Sequence, residues 1–211
     1  MTAAVSSIRA HDDARHARTR TPGILLFVLA AEFLTVIMLA TSIAPDYDVV
    51  GGAISDLGVI PATALLFNVS LVAVGVLNVI GGYLLFRMHG HAWLLGISVL
   101  AGIGAAGAGL VPLDRSDLHG VFALVAFLCF NVQALGSAAI VTGPMRVLSI
   151  LAGMVGLAFV VIMVIGDAGN TAVFGPIGHG GAERMIVYPA MLWMLAFSGY
   201  LMAEPAIDRV S

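Results

Sequence analysis

Six apolar runs, separated by short polar connections, leave this chain little choice of fold. They cover about 23–44, 62–86, 92–113, 120–141, 147–166 and 182–203. Each is near the roughly 20 residues that a helix needs to cross about 30 Å of hydrocarbon. None alternates with period two, and each is longer than the roughly 10-residue strand of a membrane barrel. The expected fold is all-α, a polytopic membrane bundle of six transmembrane helices. With 60% hydrophobic and 10% charged residues, against about 25% charged in soluble domains, the chain needs lipid to cover its surface. No separate soluble domain is expected.

The arginines set the expected orientation. All nine basic residues are arginine. Arg9, Arg15, Arg18, Arg20, Arg87, Arg146 and Arg209 fall on one side of the six spans, and Arg115 and Arg184 on the other. The positive-inside rule makes the first side cytoplasmic, with both termini there. The outer side holds Asp46, Asp48, Asp56, Asp114, Asp117, Asp167 and Glu183. Residues 1–22 are polar and lack periodicity, so they read as a disordered cytoplasmic tail. The apolar run behind them is too long for a typical cleavable signal peptide. Residues 23–203 form the membrane domain, and 204–211 a second cytoplasmic tail. Arginine in place of lysine, with much Ala and Gly, fits a GC-rich bacterial genome and a multi-pass protein of the plasma (inner) membrane.

Several classes drop out. A lone Cys129 in an apolar run excludes a disulfide framework within the chain and reads as a small core hydrophobe. There is no phosphate-cradling glycine loop, haem attachment motif or basic nucleic-acid patch, so neither a nucleotide cofactor nor a nucleic-acid partner is expected. The expected partner is membrane lipid. Small residues at intervals of four, Ala101, Ala105 and Gly109 with Gly104 and Ala108, and Ala152 with Gly156, point to close helix packing within one bundle.

The polar residues concentrate in three outer connections. Asp56 and Asn68 read as one wall of an outward cleft, with Ser55 as the cap of a short helix. In the turn 111–120, Asp114 and His119 are expected to approach each other. Such a pair can bind a metal or orient a general base. Arg115 and Asp117 read as a surface pair. In the third connection His179 and Glu183 are four apart, but Gly180 and Gly181 intervene, so a helix is expected only from near Ala182. Glu183 then lies in its first turn, where negative charge suits the helix dipole. Arg184 reads either as a clamp for phosphate or carboxylate, or as an ion pair with Asp56, Asp114 or Glu183. Pro189 is expected to kink the sixth helix, and Tyr188 and Trp193 to anchor at the membrane interface. Within the first span, Glu32 is either a proton-binding carboxyl or a group bonded to Asn78, Asn131 or Gln133.

The segments Ile54-Ser55-Asp56-Leu57-Gly58, Leu66-Phe67-Asn68, Val111-Pro112-Leu113-Asp114 with His119-Gly120, and Gly181-Ala182-Glu183-Arg184 with Tyr188-Pro189 together resemble the bacterial and archaeal membrane proteins of domain-of-unknown-function family 998. The first part is also similar to the FRAG/DRAM/Sfk group of eukaryotic membrane proteins. The resemblance covers about 23–203 and implies a six-helix bundle, with no activity attached.

The expected site is thus Asp56, Asn68, Asp114, His119, Glu183 and Arg184, binding a lipid head group or small ligand on the outer side. Two other readings stand beside it. One is a membrane-embedded hydrolase, with Asp56, Asp114, His119, His179 and Glu183 around a metal and Ser55 as an oxyanion partner; it lacks the paired histidines of ceramidase-type enzymes. The other is a proton-coupled transporter using Glu32, without the inverted repeat of known plans.

Overall fold

The structure is a computed structural model. It describes residues 2–203, with side chains from Arg20 onward. It is helical: α1 (Thr2–Ile43), α2 (Ala64–His89), α3 (Ala92–Leu110), α4 (Leu118–Ser137), α5 (Gly143–Asp167) and α6 (Gly178–Ala203), with 3-10 turns at Ile54–Gly58 and Thr171–Ile177. Among the described residues there is no strand. All six helices include a stretch long and apolar enough to cross a membrane; in α1 this is Arg20–Ile43. The expectation of a disordered tail falls mostly on residues whose side chains lie outside the description, and the α1 backbone runs helical from Thr2. The tail 204–211 lies outside the described residues.

The helices stand in a ring. Each packs on its neighbours in sequence, α1 closes the ring against α6, and α4 also touches α6 across the middle. The ring faces lipid with apolar side chains: Leu65 is 79% exposed and Leu110 71%. A soluble monomer does not carry a continuous apolar belt of this kind.

Small residues set the spacing, as expected. A side chain at Gly75 would run into the Gly102 backbone, and one at Gly109 into the Asn68 backbone, which brings α2 and α3 together. Gly104 takes the backbone of α4 at Ala126 in the same way. Where these helices touch, polar groups satisfy one another. Asn78 Nδ2 donates to Gln133 Oε1 at 3.1 Å and to Ser98 O at 2.9 Å, while Gln133 Nε2 donates back to Asn78 Oδ1 at 3.2 Å. With no water at that depth, an unpaired amide is costly.

Two expectations about the core fail. Asn78, Asn131 and Gln133 do not bond Glu32, which sits half-buried beside Ser70 on α2. Trp193 is not an interfacial anchor. It is 3% exposed, donates from Nε1 to Ser149 Oγ at 2.8 Å and stacks on Phe197 at 5.0 Å. A buried indole N–H needs an acceptor, and α5 supplies one.

Candidate functional site

At the end of the ring where α3 meets α4, the connection between α1 and α2 packs on the start of α6. Ile54–Gly58 forms a 3-10 turn of its own, and α2 begins at Ala64. Two side chains hold that turn. Asp56 Oδ2 accepts from Ala53 N at 2.8 Å, so Asp56 is the cap. Asn68 Nδ2 donates to Gly58 O at 2.8 Å.

Ser55, expected as the cap, is instead turned to α6. Its Oγ donates to Glu183 Oε1 at 3.0 Å, and Ile54 N donates to Glu183 Oε2. Glu183 is 3% exposed, and these two donors carry the solvation it has lost.

Glu183 reaches this position because α6 starts earlier than expected. The helix runs from Gly178 through Gly180 and Gly181, so His179 and Glu183 do share it. The reason for the glycines is tertiary. Gly180 N donates to Val50 O at 2.9 Å, and a side chain at Gly180 would overlap the carbonyls of Val49 and Gly52. The first connection lies directly on the start of α6.

Arg184 locks that contact. Its Nη1 donates to Val49 O at 3.0 Å, Gly52 O at 3.4 Å and Gly180 O at 2.8 Å. Its Nη2 donates to Tyr47 Oη at 2.9 Å, and the guanidinium lies 5.8 Å from the centre of the Tyr47 ring. Burial pushes the Tyr47 phenol above its usual pKa, against the pull of Arg184. The protonated phenol donates to Ala53 O at 2.6 Å. Arg184 therefore forms no ion pair with Asp56, Asp114 or Glu183. Nη1 is engaged on backbone oxygens and Nη2 on Tyr47, so the guanidinium is committed to the connection and is not a free anion clamp.

The central turn also departs from expectation. His119 is 3% exposed, and its Nδ1 meets Val111 O at 2.8 Å. A carbonyl only accepts, so Nδ1 carries the proton. In the neutral ring Nε2 is then a bare acceptor, and it is buried without a partner. Asp114 is exposed on the turn and does not pair with His119, because the backbone carbonyl of Val111 has taken that place. Ser116 Oγ accepts from Leu118 N at 3.2 Å and opens α4.

Two cavities meet here. An outer cleft of about 530 Å³ lies between the 3-10 turn, the α3–α4 turn, α4, the end of α5 and the start of α6. Asp56, Asp167, His179, His119, Glu183 and Ser55 line it. His179 Nε2 lies 3.1 Å from Asp167 Oδ1, and its ring stands edge-on to Phe174. An inner chamber of about 60 Å³ runs into the bundle between Phe33, Phe67, Ala105, Phe130 and Met191. Ser55, His119 and Glu183 are the polar residues common to both. The outer cleft also reaches Leu113, Leu124 and Val164, all of them apolar and exposed on the outside of the ring.

Of the six expected site residues, Asp56, His119 and Glu183 come together. Asn68 and Arg184 line neither cavity and hold the connection in place, and Asp114 stands apart. Sequence reading missed Asp167 as a lining group, and it set Ser55 in the wrong role. Among the described residues no three of His, Cys, Asp and Glu gather where they could hold one metal ion. The metal site imagined from Asp56, Asp114, His119, His179 and Glu183 does not form. What does form is a buried acceptor nitrogen and a buried carboxyl at the mouth of an apolar chamber. That arrangement can accept hydrogen bonds, hold a cation or take up a proton.

Six apolar helices in a ring, each long enough to cross a membrane, define a multi-pass α-helical membrane protein. Residues 23–200 match the family described as protein of unknown function (DUF998), and the chain belongs to that family. No curated protein matches it, and no solved structure does.

Proposed function

We propose that this protein binds a membrane amphiphile, such as a lipid, with its polar head in the outer cleft. The observation that carries the reading is the junction at Ser55, His119 and Glu183. There a cleft of about 530 Å³, mostly apolar but edged by Asp56, Asp167 and His179, adjoins an apolar chamber and also reaches lipid-facing side chains on α4 and α5. Ligand sites are mostly apolar with a few convergent polar groups, and an amphiphile needs both. The arginine asymmetry supports both termini lying in the cytoplasm and the cleft facing the extracytoplasmic side of a bacterial plasma membrane.

The rival readings have less support. The hydrolase lacks a three-donor metal set among the described residues. Glu32, on which the transporter rests, lines neither cavity, so it has no visible route to the cleft.

The test is native mass spectrometry of the protein released from mild detergent. A co-purifying lipid is expected on the wild type. It should be lost in Ala123→Trp, which fills the wall that the two cavities share. A wild type that carries no lipid and gains none on titration would sink the reading.

A further inference from the structure

The charges around the cleft say what kind of head group it takes. Its acids are Asp56, Asp167 and Glu183, and among the described residues no arginine lines either cavity. The chain has no lysine at all. Arg184, next in sequence to Glu183, is spent on the carbonyls of Val49, Gly52 and Gly180. An anionic head would meet the carboxylates of Asp56 and Asp167, and His179, the basic side chain beside them, is already engaged 3.1 Å from Asp167 Oδ1.

The buried histidine supplies an independent observation. His119 is 3% exposed and its Nδ1 is fixed on Val111 O in the α3–α4 turn. Nε2 lies on the other edge of the ring, away from that turn, in a side chain that lines both cavities, and it has no partner. A buried acceptor left unpaired loses the hydrogen bonds that water would give it. A ligand that brings a donor removes that loss. Glu183, which lines both cavities with His119, accepts from Ser55 and Ile54 and makes no ion pair among the described residues.

We infer that the head group recognised here is a primary ammonium, which donates to His119 Nε2 next to the Glu183 carboxyl, with Asp56 and Asp167 adding negative field. This rests on the amphiphile-binding reading and narrows it. Specificity comes from the N–H bonds and not from charge alone, because a site built to accept a donor rejects an analogue that lacks it.

The experiment uses the full chain in phosphatidylcholine nanodiscs at neutral pH. Tetradecylamine, tetradecyltrimethylammonium and tetradecyl phosphate are titrated in turn, and binding is followed by native mass spectrometry. The amine should bind roughly tenfold or more tighter than the trimethylammonium compound, as expected for a charge-assisted hydrogen bond, and the phosphate weakest. In His119→Phe the amine should fall to the level of the trimethylammonium probe, whose own affinity stays the same. Equal binding of the two cations to the wild type overturns the inference and leaves amphiphile binding intact. Tightest binding of the phosphate overturns it as well. Binding of none of the three overturns both readings. The wild-type series decides the matter even if His119→Phe does not fold.

Discussion

The Ser55 hydroxyl donates to the Glu183 carboxyl at 3.0 Å, across 128 positions of the chain. This bond joins the α1–α2 connection to the start of the last helix, and both of its residues line the cleft and the chamber. Ser55→Ala is expected to remove one donor from a buried acid and cost about 1–3 kcal/mol. Glu183→Ala should cost more, since it leaves the Ile54 N–H unpaired as well and opens a cavity. Denaturation midpoints in detergent would rank them. A Ser55→Ala midpoint equal to the wild type would mean that the bond contributes nothing.

Arg184 makes its contacts as a fork, with Nη1 on three carbonyls and Nη2 on Tyr47. A lysine ammonium cannot span those acceptors. Arg184→Lys is expected to free the connection around Tyr47 to Gly52. Backbone hydrogen exchange there should rise by roughly tenfold or more, as opening becomes about 1.4 kcal/mol easier. Unchanged exchange would show that the clamp is redundant.

Gly156 on α5 leaves room for the amide of Asn131 on α4. Asn131 Nδ2 in turn donates to Phe127 O at 2.8 Å and to Ile186 O at 3.1 Å, near the carbonyl that Pro189 deprives of its helical donor. Gly156→Ala is expected to destabilise by about 1–3 kcal/mol through overpacking. Combined with Asn131→Ala, most of that penalty should vanish, giving a coupling energy of about 1 kcal/mol or more in a double-mutant cycle. Additive effects would contradict the contact.

Glu32 has a buried oxygen that makes no hydrogen bond, with the Ser70 hydroxyl beside it. Since Glu32 lines neither cavity, Glu32→Gln is expected to leave amphiphile affinity within about twofold, well below the tenfold that 1.4 kcal/mol would give. Titration with the amine probe checks this. A tenfold loss would return Glu32 to the functional site.

Some of this was readable along the chain. The runs from 23 to 203 announced six helices, and small residues such as Gly104 and Gly109 announced where helices approach. Asp56, His119 and Glu183 stood out as polar groups beside apolar runs. Their neighbours were less legible. Asp114 is the acid nearest His119 in the same turn, yet Val111 O takes the imidazole proton. Gly180 and Gly181 look like helix breakers, yet α6 runs through them because the first connection presses on Gly180. Trp193 has the look of an interfacial anchor and is buried on Ser149.

The division has a physical cause. Transfer of a helix from water to lipid sums over its own residues, so the sequence by itself determined the class of protein, the number of spans and which polar connections lie together. Which acceptor a buried donor finds depends on the rotation and depth of helices far apart in the chain. Only the tertiary structure decided that Arg184 holds backbone, that Ser55 reaches Glu183, and that His119 keeps one nitrogen free.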